Sequence, residues 1–295
     1  MTVLITGGTG QVGFELQRTL AVFGDIVAPT PEELDLADAS AVERFLEQTH
    51  PTIVVNAAAY TAVDKAEEEP ELAQALNADL PAQLANYCAR QSAWLVHYST
   101  DYVYDGAGES FRTEDHPVNP LSVYGKTKLA GDNAIEASGA QHFIFRTSWV
   151  YGARGHNFVK TMLRLGESKS ELNVVNDQIG APTTARLIAQ VTSQALAQRN
   201  AANIGLYHLV CRETCNWQGF AQAIFQQASE LGKALAITPQ AVAGIPTSDY
   251  PTPAKRPLNS RLIVSKLEET FKLKLPTWQS QLQQVLEEMQ SYGVL

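Results

Sequence analysis

Tyr124 and Lys128 stand four residues apart in the stretch Val123-Tyr-Gly-Lys-Thr-Lys128. On a helix that spacing puts both side chains on one face. A phenol ordinarily gives up its proton at a pH of about 10. An ammonium held beside it favours the phenolate and lets the pair exchange a proton nearer neutrality. An oxygen needs such an exchange while hydride moves to or from the carbon that bears it. The same spacing also arises on ordinary surface helices, so its meaning depends on what lies upstream.

Upstream, Val3-Leu-Ile-Thr6 runs into Gly7-Gly-Thr-Gly10-Gln-Val-Gly13-Phe-Glu-Leu16. An apolar β-branched strand, a turn with glycines at 7, 10 and 13, and an apolar-periodic helix follow in the order that dinucleotide binding requires. The glycines permit a tight turn, close approach of a pyrophosphate and close helix packing. The phosphates then meet the free N–H groups of a helix N-terminus. The spacing is G-x-x-G-x-x-G rather than G-x-G-x-x-G.

The elements that position these groups alternate through the first half. Strands are expected at 2–6, 26–28, 52–56, 93–98 and 142–146, and helices at 11–22, 39–48, 71–90 and 121–138. This pattern predicts an α/β fold with a doubly wound parallel sheet. Its ligand is expected at the carboxyl edge, in the loops that follow the strands. Those loops read Asn56-Ala-Ala-Ala-Tyr60-Thr61, Ser99-Thr-Asp101-Tyr-Val-Tyr-Asp105-Gly106 and Thr147-Ser-Trp149-Val-Tyr-Gly152. Thr100 and Asp101 either reach a substrate oxygen or cap a turn. Trp149 either packs on a sugar or fills core. From about residue 151 the pattern changes. Helices near 216–231 and 277–291 are separated by the turn-rich run Pro246-Thr-Ser-Asp-Tyr-Pro-Thr-Pro253, which reads as a rigid connector.

Composition bounds the function. The chain has 295 residues, 45% of them apolar and 18% charged, as in a globular enzyme. A net charge of −9 argues against a nucleic-acid surface. No apolar run reaches the length of a membrane span, and residues 1–10 read as a strand rather than a signal peptide. A cytoplasmic location follows as the expectation. Cys88, Cys211 and Cys215 form no metal spacing and read as reduced thiols.

The chain resembles the extended short-chain dehydrogenases/reductases and, within them, the dTDP-4-dehydrorhamnose reductase family. The matching stretches run nearly end to end: Thr6–Gly13, Asn56–Ala59, Ala62–Glu67, Ser99–Asp101, Val123–Gly131, Phe145–Trp149, Asp177–Thr183, Gly205–His208 and Arg256–Arg261. The resemblance implies a Rossmann-type domain over residues 1–150. A smaller α/β substrate-binding domain would occupy most of 151–295, with some segments returning to the sheet. It implies a Thr100–Tyr124–Lys128 triad that reduces the 4-keto group of a nucleotide sugar. It places Gly7, Gly10, Gln11, Val12 and Gly13 along the cofactor, Asp35 and Leu36 near the adenine, and Ala59, Tyr60 and Thr61 near its middle. Tyr124 and Lys128 also touch the cofactor, while Val63, Thr100, Asp101 and Trp149 hold the substrate. Lys160, Arg164, Arg256 and Arg261 are candidates for the substrate diphosphate.

Several departures and alternatives accompany the resemblance. Related sugar-nucleotide dehydratases carry Asp-Glu after the active-site threonine, whereas here Asp101 precedes Tyr102. The elimination base is therefore missing and plain reduction is expected. Some relatives link subunits through metal-bound carboxylates; Glu15 stands at the first such position, but Arg186 stands at the second. No metal is expected, and the protein reads as a monomer or weak homodimer. The turn Ala28-Pro-Thr-Pro31 carries neither an acid for a ribose 2′-hydroxyl nor a cation for a 2′-phosphate. NADPH is the expected cofactor, with NADH as the alternative. Relatives also serve as nucleotide-binding regulatory subunits of methionine adenosyltransferase, and others act as sugar-nucleotide reductases or epimerases.

Overall fold

The short β-branched runs form a parallel sheet, as their alternation with helices predicts. In the computed structural model, which describes residues 1–295, the first half holds β1 (Thr2–Thr6), α1 (Gln11–Thr19), β2 (Asp25–Val27), α2 (Ala39–Thr49) and β3 (Ile53–Asn56). It continues with α3 (Pro70–Gln74), α4 (Leu80–Gln91), β4 (Trp94–Thr100), α5 (Val123–Ala137) and β5 (Gln141–Thr147). The second half holds β6 (Val150–Tyr151), α6 (Phe158–Gly166), β7 (Leu172–Val175), β8 (Ile179–Gly180), β9 (Thr183–Thr184), α7 (Ala185–Ala197) and β10 (Gly205–His208). It closes with β11 (Cys215–Asn216), α8 (Trp217–Glu230), β12 (Val242–Ile245), α9 (Ser265–Phe271) and α10 (Trp278–Ser291).

Six parallel strands make the central sheet in the order β10-β5-β4-β3-β1-β2. Side chains alternate across it. Val3, Ile5, Val55, Val96, Phe143 and Phe145 pack on the face covered by α1 and α7, while Leu4, Val54, Leu95 and Ile144 pack on the face covered by α2, α4 and α5. Burial on both faces explains why the strands read as continuous apolar runs. The edge strand β10 comes from the second half and lies beside β5, with His208 opposite Arg146. The first apolar core continues through α6, α8 and α10.

The helix expected at 71–90 is interrupted. Residues Ala75–Asp79 form a π-helical turn between α3 and α4. Pro81 lies in the first turn of α4, where a missing N–H costs little. Periodicity alone reads the whole segment as one helix, because the apolar face continues through the bulge.

Candidate active site

The glycine turn is built by close contact. Gly7 has φ +69, and a Cβ there would lie 2.7 Å from the Ala57 carbonyl and the Ala58 nitrogen. A Cβ on Gly13 would enter the Gly7 carbonyl and come within 2.8 Å of the Gly8 Cα. The two glycines therefore seat the start of α1 against the end of β3. Gly10 is the N-cap and offers no side chain to the first turn. The N–H groups at Gln11, Val12 and Gly13 have no acceptor inside the helix, so they suit an anion. Gln11 is braced by Asn157, whose amide nitrogen donates to Gln11 Oε1 at 2.9 Å. Positive charge on and beside α1 comes from its own Arg18 and from Arg154, whose guanidinium groups lie 3.5 and 3.8 Å from the Phe14 ring centre.

After β2, the acids turn inward on their own loop. Glu33 accepts the Thr30 N–H at 2.8 Å, and Asp35 accepts the Ala37 N–H at 2.9 Å. Leu36 lines an open cavity between α2 and α4 with Ala37, Glu43, Asp79 and Arg90. After β3, the backbone of Tyr60 is held at both ends by Asn77, which accepts its N–H at 2.9 Å and donates to its carbonyl at 3.2 Å. Asn77 also donates to the Thr127 hydroxyl of α5 at 3.2 Å. The π turn thus ties the Ala59–Thr61 loop to the helix that carries Tyr124 and Lys128. Val63 follows in a tight turn, its N–H donating to the Thr61 carbonyl at 2.9 Å.

Thr100 ends β4 and does what a capping threonine does, accepting the Tyr102 N–H at 3.2 Å. Its hydroxyl also donates to Asp101 at 3.1 Å. Asp101, expected at the sugar, is buried, and its second oxygen accepts from the Ser260 hydroxyl. Both its oxygens are engaged within the protein. Tyr124, in the second position of α5, meets the Tyr102 ring edge-on at 5.4 Å. Trp149 holds a left-handed backbone, φ +49, and its half-buried ring stacks on Trp217 at 3.6 Å. Gly180 leaves room for it, since a Cβ there would approach the indole to 2.8 Å. The Thr100 hydroxyl acts on that of Tyr124, and Lys128 reaches the Tyr98 carbonyl two residues before Thr100, so the three lie along the carboxyl end of β4.

The electrostatics differ from the sequence expectation at one point. Lys128 was expected to draw the Tyr124 proton off. Its amine instead donates to the Tyr98 carbonyl at 2.6 Å and lies 3.1 Å from His97 Nε2. Burial pushes the Tyr124 hydroxyl up to about 12, and the Thr100 hydroxyl opposes that shift in part. Burial also lowers Lys128 to about 8, with Asp132 opposing. The desolvation of both groups outweighs their spacing on the helix face.

Behind Lys128 lies a polar layer that periodicity did not reveal. On the α5 side of the sheet, Leu4, Val54, Leu95 and Ile144 give way toward the carboxyl end to Thr6, Asn56, His97 and Arg146. The register aligns Thr6 with Asn56 and Asn56 with His97. Asp132 of α5 accepts from Ser99 at 2.8 Å and pairs with Arg146 at 3.1 Å. Arg146 in turn donates to the Tyr104 hydroxyl, which bonds His208 at 2.7 Å. The one sequence signal for this layer was a polar residue two positions after the last apolar one on that face of each strand.

Burial pushes the Asp101 carboxyl up to about 6, with the Ser260 and Thr100 hydroxyls opposing. The folded chain therefore holds that proton more tightly than the unfolded chain. Its contribution to stability is full below pH of about 4 and is lost as pH rises through about 6. Asp101→Asn is expected to remove this slope, on the order of 2–3 kcal/mol, between urea unfolding curves taken at the two ends of the window. An unchanged slope in the variant would count against the assignment.

Other candidates are engaged elsewhere. Arg256, considered for a diphosphate, clasps Asp64 through two bonds of 3.0 and 2.8 Å. Arg261 bonds Asn259 at 3.0 Å. Arg186 lies between Glu15 at 3.4 Å and Glu288 at 2.6 Å, so its guanidinium neutralises carboxylates from α1 and α10. Cys88, Cys211 and Cys215 are all free thiols. No helix is long and apolar enough to cross a membrane.

Comparison with known proteins now adds to this geometry. The RmlD substrate binding domain family matches residues 1–291. The dTDP-4-dehydrorhamnose reductase of Salmonella typhimurium is 46% identical over 295 residues, covering 98% of each chain. This chain belongs to the dTDP-4-dehydrorhamnose reductase family. A crystal structure of a family member from Clostridium acetobutylicum superposes with a TM-score of 0.91 at 38% identity, over 98% of this chain and 100% of that one. A member from Bacillus anthracis, crystallised in complex with NADP, gives a TM-score of 0.89 at 34% identity over 97% and 99% of the two chains. Family membership and the doubly wound fold agree with the reading of the sequence. Ser260, Asn77, Trp217 and the His97–Asp132–Arg146 layer were not anticipated by it.

Proposed function

We propose that the protein reduces the 4-keto group of dTDP-4-dehydro-6-deoxy-L-mannose to give dTDP-L-rhamnose, using NADPH, with NADH as the weaker alternative. The observation that carries this reading is the grouping of Thr100, Tyr124 and Lys128 at the carboxyl edge, in a chain of this family. The fit of a dinucleotide rests on the Gly7–Gly13 turn, where a Cβ on Gly7, Gly8 or Gly13 would collide with the chain that packs α1 against the sheet, and on the uncapped first turn of α1. Hydride is the chemistry that the bound cofactor supplies.

The chain's own residues do the rest. Gly10, Gln11 and Val12 lie along the pyrophosphate, which meets the free N–H groups of Gln11, Val12 and Gly13, while the Gly10 N–H stays on the Gly7 carbonyl. The Ala59–Thr61 loop, held by Asn77, lies along the cofactor's middle, and Asp35 and Leu36 lie toward its adenine. Tyr124 donates its proton to the carbon-4 oxygen. A hydroxyl raised to about 12 stays protonated at neutral pH, ready to give its proton to an alkoxide, which is a much stronger base. Thr100 turns its one hydroxyl proton from Asp101 to the carbonyl oxygen when the sugar binds, and Ser260 holds Asp101 beside it. Lys128 steadies the phenolate left behind and binds the nicotinamide ribose. Val63 and Trp149 border the sugar. Residues 1–150 serve the cofactor, and most of 151–295 serves the nucleotide sugar.

The test follows NADPH or NADH oxidation in the presence of the keto-sugar. Turnover faster with NADPH is expected. A folded protein that binds cofactor yet turns nothing over would sink the reading and leave a nucleotide-binding regulatory role.

A further inference from the structure

His97 is fully buried in the middle strand of the sheet, and the mechanism above leaves it unused. Its Nε2 lies 3.1 Å from Lys128 Nζ, and its Nδ1 lies 3.1 Å from the amide nitrogen of Asn56. The Asn56 amide oxygen lies 2.7 Å from the Thr6 hydroxyl. Asp132 Oδ1 is 4.0 Å from Nε2 and has no hydrogen-bond partner, while Oδ2 is taken by Ser99 and Arg146. The groups facing the ring are therefore Thr6 of β1, Asn56 of β3, Ser99 of β4, Lys128 and Asp132 of α5, and Arg146 of β5. Two cations stand within this layer against one carboxylate, and burial with the Lys128 charge holds the ring neutral.

A neutral imidazole carries one N–H, and an ammonium offers only donors. Beside a cationic Lys128, Nε2 must be the bare nitrogen and Nδ1 must hold the proton. Asn56 then meets Nδ1–H with its oxygen and gives its NH₂ to Thr6. It reaches that state by turning its amide, whose two ends are nearly equal in shape. We propose that His97 is a positioning residue for Lys128: as the Nδ1–H tautomer it accepts from the ammonium, aims it and keeps it cationic. Without that acceptor, the buried amine retains the Tyr98 carbonyl and loses a charge-assisted bond, so it gives up its proton at lower pH. The inference rests on the role given to Lys128 above.

The first test is ¹⁵N NMR of histidine-labelled protein at neutral pH, with the His97 signals assigned by their loss in His97→Gln. A bare Nε2 beside a protonated Nδ1 is expected; a protonated Nε2 overturns the proposal. This reading needs neither cofactor nor substrate.

The second test follows NADPH affinity as pH rises. His97→Asn, too short to reach Lys128, should move the alkaline loss of affinity down by about one pH unit. His97→Gln, whose amide oxygen reaches the place of Nε2, should keep the wild-type profile. A wild-type profile in His97→Asn overturns the proposal, as does an equal shift when Lys128→Met is already present. A wild-type protein that binds NADPH without reducing the sugar ends the reductase reading while both tests still decide this one.

Discussion

Tyr124→Phe should lower kcat by about 10²–10⁴-fold, the usual worth of a positioned proton donor. The ring keeps its edge-on contact with Tyr102 at 5.4 Å, so NADPH affinity and unfolding midpoint should stay close to wild type. The hydroxyl is the part removed, and nothing else at this edge replaces it. Asp101 is buried and bonded on both oxygens, and Tyr102 stands where the dehydratases carry a glutamate. Steady-state kinetics with the keto-sugar decide the matter. A variant that retains a tenth or more of the wild-type kcat would remove Tyr124 from the proton-donor role. A loss confined to KM would make it a binding residue instead.

Gly13→Val should weaken NADPH binding by about a hundredfold, corresponding to ~2.7 kcal/mol. The side chain has no place to go. Even a Cβ would enter the Gly7 carbonyl and press on Gly8, so α1 must lift away from the turn that its first N–H groups complete. Fluorescence quenching by NADPH measures the loss, with Gly152→Ala as the comparison. Gly152 faces the same loop, but a Cβ there comes no closer than 3.7 Å to Ala185. That variant should bind within about twofold of wild type. If Gly13→Val and Gly152→Ala bind alike, the glycine turn is not the phosphate cradle.

The polar layer beneath the sheet edge links these predictions. Tyr124 meets Tyr102 near the start of α5, whereas Lys128, one turn later, points inward to the Tyr98 carbonyl and His97. The helix that carries Tyr124 therefore plants its cation in the sheet. Asp132, a further turn along, is anchored by Ser99 and Arg146. Asn77 fixes the same helix from outside through Thr127. Rigid support of this kind is what places a reacting hydroxyl within the narrow geometry that proton transfer demands.

The sequence by itself determined the five strands of the first half, the glycine turn, the spacing of Tyr124 and Lys128, and the threonine that ends β4, but not the edge strand β10 or the short strands of the second half. Each depends on neighbours in the chain: β-branched runs, glycine where a Cβ has no room, and residues one helical turn apart. It also determined the family, through stretches spread from Thr6 to Arg261. Only the tertiary structure decided where the charges went. Lys128 faces His97 because β4 lies directly under α5. Asp101 is bound by Ser260 from 159 residues away. Arg256 is bound by Asp64 from 192 residues away, and Arg186 by Glu15 from 171 away. A periodic pattern records which face of an element is buried, but not what is buried against it. The cost of desolvating a charge is set by those distant partners, and they meet only when the chain has folded.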